Sequence, residues 1–259
     1  MQNSSNFLSA KLKIEEICGV YRGQSMLYYK EFGNPDGKLV VFIHGGFTTC
    51  ESYMKQYEIL EAYHCVFVDL PGHGKSDYGK KYHFSFENAV DAVVELIDKL
   101  SPEEKVVLIS HSYGGLTAKI IMSKIPEKIE RAVIGSTNIQ RTLLFRVYTS
   151  KLGCFYLWIQ NRKRYKRDNI SWRLVCDTQK DAWQQFQLTD AEKFSELPCL
   201  LLCAQYDIKT IQKSMHLWEK CLPNSQMLMI ENVGHNYYFD AAEQVNLLLE
   251  SFITGAKVS

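Results

Sequence analysis

No run of about 18 apolar residues occurs anywhere in the chain, so a membrane-spanning helix is not expected. The start, MQNSSNFLSAKLKIEE, lacks the 7–15-residue apolar core of a secretory signal, and a cytoplasmic location is expected. Charge of one sign is not in excess. A net charge of +1 gives no global reason to bind nucleic acid or a membrane surface. Internal repeats and low-complexity tracts are absent. The eight cysteines (18, 50, 65, 154, 176, 199, 203, 221) contain no C-x-x-C pair. Cys199 and Cys203 would lie about 13 Å apart on one strand, too far to bridge. With no export signal, free buried thiols are expected. Histidines are not set at ligand spacing such as H-x-x-x-H, so no metal and no cofactor is implied.

What is present is an ordinary soluble-protein composition, 46% hydrophobic and 23% charged over 259 residues, enough for one large core. Residues 12–32 hold two β-rich runs broken by Gly19 and Gly23 and ending in the turn Asn34-Pro-Asp-Gly37. Leu39–Ile43, Cys65–Val68, Val106–Ile109, Ala132–Ile134 and Cys199–Cys203 are short continuous apolar runs, the pattern of strands buried on both faces. Between them Phe86, Val90, Val93, Ile97 and Leu100 keep helical spacing, with Ser85 as N-cap. Residues 209–221 and 240–253 read as further amphipathic helices. Strands alternating with helices imply an α/β fold: a doubly wound, mostly parallel sheet. Such a sheet places its ligand site at the carboxyl ends of the strands.

Those ends carry distinctive residues. The first central strand runs into His44-Gly-Gly-Phe47, the second into Asp69-Leu-Pro-Gly-His-Gly-Lys-Ser-Asp77, and the third into Ser110-His-Ser-Tyr-Gly-Gly115. A later strand ends in Ala204-Gln-Tyr-Asp207, and the last, Met227–Ile230, leads to Glu231-Asn-Val-Gly-His235. In this set and order the chain resembles the α/β-hydrolases of the capped, esterase-like kind. The likeness covers about residues 20 to 254 except 139–195, and the motif order is Ser…Asp…His.

A serine hydroxyl is a poor nucleophile at neutral pH and needs a base held in the right orientation. The resemblance therefore implies Ser112 as nucleophile, His235 as base and Asp207 as the acid that orients it. It also implies an oxyanion hole made by the amides of Gly46 and Tyr113. Phe47 is assigned to the wall of the substrate pocket, with its amide as an alternative oxyanion donor. Ser110 replaces the first glycine of G-x-S-x-G but is itself small. Two of these residues also have an ordinary role, Ser112 as a helix-start serine and Asp207 as a helix cap. No acid follows the preceding strand end, Gly135-Ser-Thr-Asn-Ile139, which leaves Asp207 as the well-placed one. His44 and His73 are expected to hold loop backbone, Asp69 to serve its turn, and His111 to point away from the site.

The expected organisation is a core of residues 1–138 and 196–259 with a helical cap, 139–195, inserted in it. That insertion holds eleven Lys/Arg against five Asp/Glu, together with Trp158, Trp172 and Trp183. Arg162, Lys163, Arg164, Lys166 and Arg167 form a basic cluster, either a solvated helix face or a docking patch for an acidic carrier or anionic substrate. The expected activity is hydrolysis of a carboxylic ester or similar acyl bond. The same triad also serves C–C, amide and thioester cleavage, and a non-catalytic receptor can retain the fold.

Overall fold

The computed structural model describes residues 15–21, 25–57, 61–76, 83–188 and 190–256. The described strands are β1 Glu15–Tyr21, β2 Ser25–Gly33, β3 Leu39–Ile43, β4 His64–Val68, β5 Val106–His111, β6 Ile129–Gly135, β7 Cys199–Ala204 and β8 Ser225–Ile230. They form one sheet in the order β1-β2-β4-β3-β5-β6-β7-β8. β1, β2 and β4 pair antiparallel, and every pairing from β4 across to β8 is parallel. Gly19 lies inside β1, paired with Leu27, and does not break it as the sequence suggested. Gly23, Asp77 and the amino-terminal segment read for a signal lie outside the described residues.

The continuous apolar runs are buried on both faces because successive side chains alternate across the sheet. Val41 and Ile43 pack on one side with α1 (Phe86–Leu100) and α2 (Tyr113–Lys124). Val40 and Phe42 pack on the other with Tyr53, Tyr57 and Tyr238. α6 (Lys209–Cys221) joins the first layer and α8 (Ala242–Thr254) the second, with the short α7 (Tyr237–Asp240) beside it. α1 begins as its sequence predicts, with the Ser85 side chain accepting the Asn88 N–H at 3.1 Å. β8 is the sheet edge; Ile230 is buried, but Gln226 and Met229 are exposed. Of the seven described cysteines all are unbridged, but Cys176 is only half-buried and Cys221 at the end of α6 is exposed.

Between β6 and β7 the chain inserts α3 (Leu143–Tyr148), α4 (Lys151–Arg167) and α5 (Trp172–Gln185). α5 is bound to the core by polar contacts that a helix merely lying on the surface would not need. Asp181 Oδ2 accepts the Phe86 N–H at 2.7 Å, and Tyr113 Oη donates to Gln179 Oε1 at 2.7 Å. Lys119 Nζ donates to the carbonyls of Gln185 and Gln187 at 2.9 and 2.8 Å, satisfying acceptors at and just beyond the end of α5. Burial lowers the Lys119 ammonium to about 8. No described helix is long and apolar enough to cross a membrane.

Candidate active site

β5 is the central parallel strand, and the hydrogen bond from Ser112 N–H to the Gly135 carbonyl, 2.7 Å, carries its pairing with β6 through to Ser112. There the backbone turns abruptly into α2. Ser112 has φ 54° and ψ −122°, a conformation that costs an L-residue of order 1–3 kcal/mol and persists only where surroundings enforce it. Enforcement is visible on both flanks. Ser110 is fully buried and donates to the Val133 carbonyl at 2.9 Å. A Cβ on Gly114 would stand 2.3 Å from the Ile43 carbonyl oxygen, so α2 can pack against the end of β3 only with glycine there. The turn thus lifts the Ser112 side chain out of the sheet at the carboxyl end of β5.

The loop after β7 presents Asp207. Its side chain is almost wholly buried; Oδ1 accepts the Ile208 N–H at 3.0 Å and Oδ2 accepts from His235 Nδ1 at 2.9 Å. Bonding through Nδ1 leaves Nε2 as the free imidazole nitrogen. Two further bonds join this loop to the one carrying His235. Tyr206 N–H reaches the Val233 carbonyl at 3.0 Å, and Gln205 Oε1 accepts the Asn232 N–H at 2.7 Å. Gln205 was not singled out in the sequence, since a glutamine at a strand end carries no signal of its own.

The structure closes the Asp207–His235 pair. It forms no hydrogen bond to Ser112 Oγ among the described residues. Serine–base contacts in unliganded enzymes are commonly loose and tighten with substrate.

The oxyanion candidates fall on two adjoining backbone segments. Tyr113 is the first residue of α2, where N–H groups lack intrahelical acceptors and the helix dipole favours negative charge. Gly46 follows β3, and a Cβ on it would meet the Tyr113 ring at 2.6 Å, so glycine is required for that ring to lie where it does. Neither amide is engaged by a described residue. The Phe47 amide is engaged, donating to His73 Nε2 at 3.3 Å, which removes it as the alternative donor. Phe47 itself has φ 59° and is buried, its ring 6.2 Å from that of Tyr113 and 5.8 Å from that of Tyr165 on α4. Gln179, whose carbonyl fixes the Tyr113 hydroxyl, was likewise not legible: it reads as one polar residue on an amphipathic helix.

His44 and His73 hold loop backbone, as expected. His44 Nε2 accepts the Leu70 N–H at 3.0 Å and Nδ1 donates to the Gly45 carbonyl at 2.7 Å. His73 Nδ1 donates to the Pro71 carbonyl at 3.2 Å. Asp69 serves its turn by accepting the Cys50 and Lys75 amides at 2.7 and 2.9 Å.

Burial lowers both histidines, His73 to about 3 with the nearby His44 charge as a second cause. A protonated ring would also turn a donor toward the Phe47 or Leu70 N–H. The unfolded chain takes up protons near pH 6.5 where the native state does not, so stability is full above that value and falls as pH drops from about 6.5 toward 3. The melting temperature should decline across that window, and His73→Gln should flatten the decline. An unchanged slope in the variant would assign the acid sensitivity elsewhere.

His111 corrects the sequence reading. Expected to point away, it packs its ring 4.6 Å from that of His235, with Tyr237 and Tyr238 at 5.3 and 5.4 Å. Burial, and then the neighbouring His235, holds it well below the ordinary histidine value, so it stays neutral. His111, the residue before Ser112, thus forms one wall of the seat of the His235 imidazole.

A mostly parallel α/β sheet, with a strained strand-to-helix turn and an acid–histidine pair at its carboxyl edge, defines the α/β-hydrolase class. The chain belongs to the alpha/beta hydrolase family, whose model matches residues 40–246. Its relatives include a cis-3-alkyl-4-alkyloxetan-2-one decarboxylase of Shewanella oneidensis, 24% identical over 277 aligned positions that span 90% of this chain and 86% of that one. A (R)-3-hydroxydecanoyl-ACP:CoA transacylase of Pseudomonas aeruginosa is 23% identical over 86% of this chain and 82% of its own. Among solved structures, a thermophilic esterase from Thermogutta terrifontis superposes with a TM-score of 0.74 at 17% identity, over 93% of this chain and 98% of that one. At that identity the superposition speaks to the fold.

Proposed function

We propose that the protein is a serine hydrolase that cleaves a carboxylic ester or a closely related acyl bond. The observation that carries this reading is the buried Asp207 carboxylate bonded at 2.9 Å to His235 Nδ1, at the same sheet edge as Ser112 on its strained turn. In the proposed reaction Ser112 Oγ attacks the acyl carbon while His235 Nε2 takes its proton. The oxyanion of the tetrahedral intermediate is held by the Gly46 and Tyr113 amides. Collapse breaks the bond to the alcohol, which leaves with the proton from His235, and Ser112 carries the acyl group. Water then attacks that ester, gives a proton to His235, and the acid and free Ser112 are released. Asp207 keeps the Nδ1–H tautomer and stabilises the imidazolium at each transfer.

α3–α5 serve as the cap in this reading. Gln179 on α5 bonds to the Tyr113 hydroxyl and the Tyr165 ring on α4 meets that of Phe47, contacts that support this role. The fold also accommodates thioester, amide and C–C substrates, and the decarboxylase and transacylase relatives illustrate how far the chemistry of similar chains ranges. The test is turnover of p-nitrophenyl acyl esters of graded chain length. Measurable turnover with a chain-length optimum supports the reading. Tight ligand binding with no turnover of any ester would place the protein among non-catalytic receptors.

A further inference from the structure

The outer face of the insertion is apolar and uncovered. On α3, Leu143 and Leu144 are exposed, and on α4 Leu152, Phe155, Tyr156 and Ile159 stand out from the fold, Leu152 at 79% and Phe155 at 58% exposure. These are large side chains in consecutive turns, whereas scattered single apolar residues are the norm on a surface. At 100° per residue, the four positions on α4 fall within an arc of about 100°. The opposite side of the same helix is buried through Cys154, Leu157 and Tyr165, so α4 does not need its outer residues to hold it to the protein.

That face continues into positive charge. Lys163 and Lys166 lie on the same arc, one and two turns past Ile159, with Arg162 at its border. These three line a cleft of about 540 Å³ together with Trp158 and Ser171. None of them is paired with a carboxylate among the described residues. The rest of the basic cluster is already committed. Arg167 pairs with Asp168 at 2.7 Å, and the Arg164 guanidinium lies 5.4 Å over the Tyr165 ring. Within this cluster, the cations without a carboxylate partner among the described residues are therefore those where the apolar face ends.

We infer that this face of the insertion docks on the surface of an anionic lipid bilayer. The apolar turns of α3 and α4 would enter the boundary between headgroups and acyl chains, while Arg162, Lys163 and Lys166 meet the lipid phosphates, with the cleft as a seat for one headgroup. An apolar strip alone fits many occupants, and a basic cluster alone fits any acidic partner. The two in series along one helix match a surface that is apolar at depth and negative at the plane above it. The net charge of +1 conceals this, because the insertion is about +6 and the remainder near −5.

The test is sedimentation of the full chain with phosphatidylcholine vesicles, with and without phosphatidylserine, across a salt series. The protein should pellet with the phosphatidylserine vesicles and be released as salt rises, because screening weakens the headgroup contacts. Phe155→Glu/Ile159→Glu should abolish pelleting with either vesicle. Lys163→Glu/Lys166→Glu should lower partitioning to phosphatidylserine vesicles by about ten-fold or more and erase the preference over phosphatidylcholine. All four side chains are exposed, so both variants should melt as the unsubstituted protein does. A protein that stays in solution with both vesicle types overturns the inference, as do variants that pellet unchanged. A dimer in light scattering that Phe155→Glu dissolves, without vesicle binding, would assign the face to a second copy. Salt-sensitive capture by poly-glutamate without vesicle binding would assign the basic end to an acidic protein.

Discussion

Ser112→Ala should reduce ester turnover by about 10⁴–10⁶-fold while leaving the melting temperature close to that of the unsubstituted protein. The size follows from the loss of the covalent route: without Oγ no acyl-enzyme forms, and only the oxyanion amides and substrate binding remain. Stability should hold because Ser112 Oγ makes no hydrogen bond among the described residues, whereas its backbone N–H and carbonyl, which are bonded to Gly135 and Gly115, are untouched by the substitution. The comparison is kcat for a single p-nitrophenyl ester beside a thermal melt. A variant retaining a tenth or more of the activity would mean that another nucleophile serves.

The second large effect is at Asp207. Asp207→Asn should lower kcat by about 10⁴ with little change in fold. The carboxylate accepts on both oxygens, from Ile208 N–H and from His235 Nδ1. An asparagine can keep its carbonyl toward Ile208 and turn its NH₂ toward the imidazole. His235 Nδ1 must then accept, the proton moves to Nε2, and the nitrogen facing the reaction can no longer take a proton from serine. His235 titration followed by NMR would separate this from unfolding. Near-native activity in Asp207→Asn would show that the acid lies elsewhere in the chain.

Much of this arrangement was legible because it rests on local rules. Leu39–Ile43 and Val106–Ile109 read as strands because a buried parallel strand has no polar face to hide. Ser85 read as an N-cap because its hydroxyl is three residues before the Asn88 amide it accepts from. Ser112, Asp207 and His235 stood out as short polar motifs ending apolar runs.

What was not legible depends on neighbours distant in sequence. His111 looked like any residue flanking a serine, and its place against His235 arises only when the loop after β8 folds back over β5. Gly19 suggested a break, yet pairing with β2 holds it in a strand. The insertion was the least readable part. α4 is apolar on both sides along its first half, so periodicity cannot tell the face that packs on the core from the face left bare. The basic cluster likewise read as five equivalent charges, and only the structure separates Arg164 and Arg167 from the three that meet no carboxylate among the described residues.

The most direct measurement of the central claim is the site of covalent capture by a fluorophosphonate, which phosphonylates an activated serine oxygen and displaces fluoride. Intact-protein mass spectrometry should show a single adduct, and peptide mapping should place it on Ser112. Asp207→Asn and His235→Ala should slow the labelling steeply, since each removes part of the activation. Absence of an adduct, or an adduct mapped to any other residue, would contradict the assignment of Ser112 as a nucleophile activated by His235 and Asp207.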